Sequence, residues 1–184
     1  MSVQTRIQLQ DSALTITNET AAGANTAARV GGLFDDLADT ATLDRERGFA
    51  NLYIDTDTNW TPTQGQAVKL TSTMKVGVLS TYNFSRTSTS MTYTGTTNAT
   101  LRIAASMVLA QNNNTQIKVY IAKNGTPINQ SMTDITTTHT NGHAIYTEAY
   151  VTGAVNDEFT IYINAIDSGA SITISALSFT VHTL

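Results

Sequence analysis

The sequence predicts a mainly β protein, an antiparallel sandwich or barrel preceded by an extended N-terminal arm and a short helix. Apolar residues alternate with a period of two through most of the second half of the chain, and turn-forming pairs such as Asn124-Gly125 separate the alternating segments. No helical spacing lies between these segments, which argues against a βαβ fold. We therefore expect two parts, an anchor and oligomerisation segment at 1–48 and a β domain at 49–184.

The composition predicts a polar but weakly charged surface. Charged residues make up 13% of the 184 residues and the net charge is −4, so no basic stripe is available to neutralise phosphates, and neither nucleic acid nor an anionic membrane is an expected partner. The chain has no Cys, which excludes disulfides and thiolate nucleophiles. We expect synthesis in a cytoplasm and no membrane insertion, because neither a signal segment nor a membrane-spanning apolar stretch is visible.

The first segment, from Met1 to about Thr20, is predicted to be an extended arm. Its apolar residues Val3, Ile7 and Leu9 occupy odd positions, and they supply too little apolar surface to offset the entropy of ordering the arm alone. An extended segment without a sheet of its own can satisfy its backbone groups at the sheet edge of a partner. Val3, Ile7 and Leu9 are therefore the predicted docking residues.

A short helix is predicted after the arm, where Asn25 or Thr26 can serve as the N-cap. Apolar residues then follow at spacings of three and four, the pattern of a coiled-coil seam: Ala27, Val30, Phe34, Leu37 and Ala41. Gly31-Gly32 costs roughly 1 kcal/mol per Gly relative to Ala, so this helix needs a neighbour. Val30, Phe34 and Leu37 are the predicted oligomerisation residues; the alternative is a single amphipathic helix packed on its own domain.

The β domain is expected to consist of half-buried strands joined by turns. The predicted strands are Val68 to Leu70, Val76 to Leu79, Leu101 to Leu109, Ile117 to Ile121, Ile145 to Val151, Phe159 to Ala165 and Ile172 to Val181. In the last strand the apolar residues change from even to odd positions, which predicts a bulge near Ala176. Asp55 to Gly65 is predicted to be a loop, and Thr81 to Gly95 is either an edge strand or a long loop.

The second half of the chain resembles the jelly roll of complement globular heads and tumour-necrosis-factor-like proteins, a fold that phage fibre and head-fibre proteins also use. The resembling segments are Ile117 to Gly125, Asn156 to Phe159 and Ile172 to Leu184. Asn156-Asp157 stands where the family usually has Gly-Asp. Gly23 to Leu37 is similar to anchor segments of tailed-phage fibre and virion proteins. These resemblances imply an antiparallel jelly roll, packing about a threefold axis, and an arm attached to a particle.

Two residue patterns could hold a metal ion, and neither predicts a site. His139 and His143 stand four apart, but Asn141-Gly142 places a turn between them, where this spacing gives no shared face. Asp55-x-Asp57-x-Asn59 copies the first ligands of an EF-hand loop, yet Trp60 occupies the position that requires Gly. No metal site and no cofactor are expected; a loosely held calcium ion is the alternative left open.

No motif for catalysis is present, because Ser, His and Asp occur without a nucleophile elbow, and no phosphate-binding or dinucleotide-binding Gly pattern is found. Several aromatic residues could stack on a sugar, although core or interface packing is the more ordinary role. They are Trp60, Tyr82, Tyr93, Tyr146, Tyr150 and Tyr162.

These observations and the resemblance lead to one functional hypothesis. The chain is expected to be a non-enzymatic virion structural protein of a tailed bacteriophage, a homotrimeric head fibre or capsid decoration held by its arm to other capsid or tail proteins. The alternative is a tail fibre that recognises a host surface glycan. A carbohydrate-active enzyme on a β scaffold is the third hypothesis, and the missing paired-carboxylate motif argues against it.

Overall fold

A computed structural model describes residues 48–79, 83–111, 115–137, 142–167 and 171–184. The chain divides into two units, Met1–Glu46 and Arg47–Leu184, and all of the described residues belong to the second. The predicted arm and helix, with Val3, Ile7, Leu9, Val30, Phe34 and Leu37, lie outside the described residues and stay predictions. No helix among the described residues is long and apolar enough to cross a membrane.

The described part is an antiparallel jelly-roll sandwich of two sheets, which confirms the predicted fold class for the β domain. Its strands are β1 (Phe49–Ile54), β2 (Thr58–Trp60), β3 (Val68–Lys69), β4 (Lys75–Leu79), β5 (Phe84–Arg86), β6 (Met91–Tyr93), β7 (Ala99–Gln111), β8 (Thr115–Lys123), β9 (Thr126–Pro127), β10 (Thr133–Thr137), β11 (His143–Gly153), β12 (Glu158–Ala165) and β13 (Ile172–Thr183). One short 3₁₀ turn, Asn129–Ser131, precedes β10.

The strands form two sheets, which we call sheet A and sheet B. Sheet A has the order β11-β7-β13-β1-β4, with β2 also paired to β13. Sheet B has the order β10-β8-β12-β6-β5, with β3 paired to β12 and β9 paired to β8. Neighbouring strands are mostly distant in sequence, so the sandwich depends on long-range pairing, and β11 is left as an edge strand of sheet A.

The core lies between the sheets and contains the alternating apolar residues that the sequence analysis identified. Leu101, Ile103 and Leu109 of β7 are fully buried, as are Ile117, Val119 and Ile121 of β8 and Phe159, Ile161 and Ile163 of β12. Because successive side chains of a strand point to opposite faces, this alternation places one face of each strand in the core and leaves the other outside. The predictions for these three strands are confirmed.

The turns and the bulge also follow from residue chemistry. Asn124 and Gly125 both have positive φ, 52° and 78°, as a tight turn of this kind requires, and they join β8 to β9. In β13 the register with β7 shifts between Ile174 and Ala176, and burial changes there from even to odd positions. The predicted bulge near Ala176 is confirmed.

The first third of the β domain differs from the prediction. The chain enters the sandwich already at Phe49, because β1 lies between β13 and β4 in sheet A, whereas the first predicted strand began at Val68. The prediction of a loop from Asp55 to Gly65 is wrong at Thr58–Trp60, which forms β2 against β13. The ambiguous segment from 81 to 95 contains the paired strands β5 and β6.

Candidate assembly surface

The outer face of sheet A is a continuous surface whose side chains are fixed by strand register. Pairing aligns them in four rows: Tyr150, Arg102, His182 and Phe49; Glu148, Ala104, Thr180 and Asn51; Tyr146, Ser106, Ser178 and Tyr53; and Ala144, Val108 and Ala176. Each row takes one residue from each of β11, β7 and β13, and the first three rows extend onto β1. We call this set the A face.

Small side chains occupy much of the third and fourth rows of the A face, from β11 to β13. Ser106 and Val108 of β7, Ala144 of β11 and Ala176 and Ser178 of β13 line a groove of about 250 Å³ that is mostly apolar. The bulge in β13 contributes to this groove, because Ala176 lies at the register shift and is exposed. This end of the A face can therefore accept a protruding side chain from another molecule.

Two tyrosines of edge strand β11 belong to the A face: Tyr146 lies in a row that lines the groove, and Tyr150 lies two rows away. Tyr146 is 51% exposed and Tyr150 is 59% exposed, and both belong to edge strand β11. Residues four apart on one strand are separated by about 13 Å. A tyrosine combines a large apolar ring with a polar hydroxyl, so exposed tyrosines on a sheet face are suited to contact a partner.

A hydrogen-bonded cluster between the tyrosines contains the charged side chains of the rows. Oε2 of Glu148 accepts hydrogen bonds from Tyr146 Oη at 2.5 Å, from Arg102 Nη2 at 3.0 Å and from Arg102 Nε at 3.2 Å. Arg102 Nη2 also donates to Tyr146 Oη at 2.9 Å. The hydrogen bonds from Tyr146 and Arg102 lower the pKa of Glu148, and the bond to Glu148 raises the pKa of Tyr146. The cluster therefore pairs its own charges at neutral pH.

His182 sits at the other side of Arg102 in the same row. Its ring lies against Phe49, with ring centroids 4.6 Å apart. Partial burial, and secondarily the positive charge of Arg102, lower the pKa of His182. The imidazole is therefore neutral at physiological pH and adds no charge to the A face.

Asn51 and Gly77 lie next to each other where β1 meets β4. The Asn51 amide donates to Ser178 Oγ at 3.2 Å and to the carbonyl of Phe179 at 3.3 Å. A Cβ on Gly77 would lie 2.0 Å from Asn51 Oδ1, so only glycine leaves room for the amide to lie along the sheet. A larger residue at position 77 would displace Asn51 and disturb the rows.

Ion pairs at other places on the sandwich tie strands and turns together. Lys69 and Glu158 join β3 to β12 at 2.7 Å, and Lys75 and Asp55 join β4 to the segment after β1 at 2.6 Å. Hydrogen bonds from these lysines lower the pKa of Glu158 and of Asp55. These carboxylates stay ionised and paired near neutral pH.

Of the two residue patterns considered for a metal, only Asp55-x-Asp57-x-Asn59 lies wholly among the described residues. His139 lies outside them, and His143 begins β11. Asp55 pairs with Lys75, while Asn59 belongs to β2 and its Oδ1 accepts from Thr173 Oγ1 at 2.7 Å. No group of three or more potential metal ligands is present in the described ranges. Asp55 and Asn59 thus each have a partner other than a shared metal ion in the structure.

The aromatic residues suggested for stacking differ in their surroundings. Tyr93 is buried in the core, and Trp60 packs partly buried against it, whereas Tyr146 and Tyr150 are exposed on the A face. Tyr162 is half-buried on β12, and Tyr82 lies outside the described residues. Sequence reasoning did not identify Arg102 or Glu148; their only signal is an outward position within an alternating strand.

Comparison with known proteins supports the fold. The sequence matches no family model and no curated protein. In structure, the chain is similar to murine APRIL at pH 5.0, with 10% identity and a TM-score of 0.55, over 75% of this chain and 99% of that chain. It is also similar to PRD1 vertex protein P5, with 10% identity and a TM-score of 0.51, over 74% of this chain and 96% of that chain. These likenesses show that Arg47–Leu184 has a jelly-roll fold.

Proposed function

We propose that this chain is a homotrimeric virion structural protein, a head fibre or capsid decoration of a tailed bacteriophage. Its N-terminal arm attaches it to the particle, and its jelly roll is displayed outward. The observation that carries the proposal is the structural likeness to PRD1 vertex protein P5. The match spans 96% of that chain. The short likeness of Gly23 to Leu37 to virion anchor segments supports the same assignment.

We propose a structural role rather than a catalytic one, and the state of the carboxylates supports it. Asp55, Glu148 and Glu158 each accept a hydrogen bond from a cationic or phenolic group that lowers the carboxyl pKa. A carboxylate with a lowered pKa is a weak general base and a poor proton donor near neutral pH. These groups instead join neighbouring elements within one sheet.

The test of the proposal is incorporation of the protein into particles that lack it. We expect full-length protein to incorporate and a variant that starts at Arg47 to be excluded, because the docking residues Val3, Ile7 and Leu9 are then missing. A variant in which these three residues are changed to Ser is the matched control for length. Equal incorporation of the shortened protein would show that the β domain itself grips the particle and would contradict the docking role of the arm.

Imaging of the intact particle distinguishes a head fibre from the alternative, a receptor-binding tail fibre. We expect additional density on the head surface when the full-length protein is supplied. Density confined to the tail would overturn the head assignment and favour the receptor-binding fibre, for which exposed Tyr146 and Tyr150 would offer stacking faces to a host glycan.

A further inference from the structure

We propose that Arg86 is the centre of a binding site for a small oxyanion of the phosphate type at one margin of the sandwich. Arg86 belongs to β5, which is the end strand of sheet B. This inference goes beyond the proposed function, because it depends neither on a trimer nor on attachment to a particle.

Strand register places the Arg86 side chain on the core side of sheet B. In the pairing of β5 with β6, Arg86 lies opposite Met91. Phe84, two residues earlier on β5, lies opposite Tyr93. Phe84, Met91 and Tyr93 are each at most 2% exposed. Since residues two apart on a strand, and residues directly opposite in an antiparallel pair, point to the same face, Arg86 shares the core face with these buried residues.

Part of the Arg86 guanidinium is buried without a partner. Nη1 is buried and has no hydrogen-bond partner, although the residue as a whole is partly exposed. Ion pairs in the described part of the chain use other cations, namely Lys69, Lys75, Arg102 and Lys123. An arginine cannot lose its proton to relieve this state. A desolvated charge without a counter-charge destabilises the fold, so an anion supplied from solution would stabilise it.

Sheet A leaves this margin of the sandwich open. Its end strand is β4, in which Val76 lies opposite Leu52 of β1. Leu52 is fully buried, so Val76 has a core-side position in the register, yet Val76 is 51% exposed. Only residues 80–83 separate β4 from β5, and so short a connection keeps the two end strands at the same margin. A small ion can therefore reach the core side of β5 from solvent.

The chemistry around Arg86 favours a tetrahedral oxyanion. A guanidinium presents parallel N–H donors that match two oxygens of a phosphate or of a carboxylate. The turn that follows Arg86 consists of four hydroxyl residues, Thr87 to Ser90, and hydroxyls can donate to the further oxygens that a phosphate has and a carboxylate lacks. The net charge of −4 gives the chain no general attraction for anions, so binding requires a local site.

The turn after β5 keeps its shape without a ligand. Thr87 Oγ1 accepts hydrogen bonds from the amides of Thr89 at 3.2 Å and Ser90 at 3.1 Å. The amide of Met74 donates to the carbonyl of Ser88 at 2.8 Å, which joins the turn to the segment before β4. Binding of an ion therefore orders little of the chain, and its entropic cost is small.

Phosphorus NMR and thermal denaturation of the full-length protein test the site with inorganic phosphate at constant ionic strength. The native protein should broaden the phosphate signal, and its melting temperature should rise by about 5 °C or more in about hundredfold excess over the dissociation constant. Arg86→Met keeps the apolar stem but removes the charge. It should bind phosphate at least about tenfold more weakly and should melt above the native protein in phosphate-free buffer, because no charge is then left uncompensated.

Lys118→Met is the matched control, because it removes the same charge from the outer face of β8. It should keep the native response to phosphate, and the comparison accounts for the general stabilisation that phosphate gives to folded proteins. An equal response of the native protein and Arg86→Met would overturn the site. So would an unbroadened phosphate signal with the native protein, a measurement that needs no variant to fold. Acetate should have no effect, and acetate binding as tight as that of phosphate would overturn the tetrahedral ligand in favour of a carboxylate.

Discussion

At the residue scale, the Asp157 carboxylate joins the turn after β8 to the turn before β12. It is only 7% exposed, and it accepts hydrogen bonds from the Ala154 amide at 2.6 Å and from Asn124 Nδ2 and Lys123 Nζ, each at 2.7 Å. Burial alone would raise the pKa of Asp157, but these donors hold the pKa below that of an ordinary aspartate. The negative charge is thus preferred in the folded protein, and Asn156, at φ 70°, positions it.

This environment predicts a pH-dependent effect of Asp157→Asn. A folded-state pKa below the unfolded value stabilises the protein above the unfolded pKa, and this contribution is lost as the pH falls through the folded pKa. We expect the substitution to lower the free energy of unfolding by about 2 kcal/mol at pH 7 and by less at pH 3. Chemical denaturation at both pH values measures it. Exposed Asp134→Asn is the control, and a penalty for Asp157→Asn that is equal at both pH values would contradict the assignment.

The A face shows at the residue scale what the sequence could predict of the site and what it could not. The outward positions of Tyr146 and Tyr150 follow from alternation within one strand. The groove beside Tyr146 is built by β11, β7 and β13, and its position depends on which strands pair and in what register. Pairing between residues so distant in sequence leaves no local signal, so the groove could not be predicted.

At the element scale, the residues of β1 explain why this strand was not predicted from the sequence. Its core residues Ala50, Leu52 and Ile54 alternate correctly, but Phe49 and Tyr53 on the outer face are also apolar or aromatic. The period of two is thus hidden when both faces carry such side chains. The outer faces of β7, β8 and β12 include charged or polar residues such as Arg102, Lys118 and Asn164, which made their alternation visible.

The position of β1 predicts where the β domain can be shortened. Arg47 to Leu184 should unfold in one cooperative transition, because all paired strands of the described residues are retained. A fragment that starts at Asn51 removes Phe49, fully buried Ala50 and two rungs of the β1–β13 ladder. We expect it to lose about 2–4 kcal/mol of unfolding free energy.

Denaturation of the two fragments side by side, monitored by circular dichroism, checks this expectation. The longer fragment is the control for the shorter one, since they differ by four residues only. Equal midpoints would mean that the first rungs of β1 contribute nothing. A longer fragment without a cooperative transition would show that the boundary near Gly48 is wrong.

At the scale of the whole molecule, the proposed trimer combines two contacts of different kind. One contact would lie between the jelly rolls, and the predicted seam of Val30, Phe34 and Leu37 would join the N-terminal segments. Linking two contacts within one chain makes the second an intramolecular event, so each raises the effective concentration for the other. The same linkage would let three arms engage one particle together.

The predicted seam implies that Phe34→Asp should weaken the trimer. A carboxylate placed on a buried seam costs several kcal/mol when it is left unpaired, so the substitution should weaken trimer formation. The jelly roll has its own core, to which β1, β7, β8, β12 and β13 contribute most of the side chains, and its melting should be unchanged. Light scattering should give the native protein three times the mass of the 19.7 kDa chain and the variant a lower mass at the same micromolar concentration. Thr40→Asp, off the seam, should keep the native mass. If both variants dissociate alike, the loss comes from added charge and not from the seam, and if neither does, the jelly rolls alone hold the trimer together.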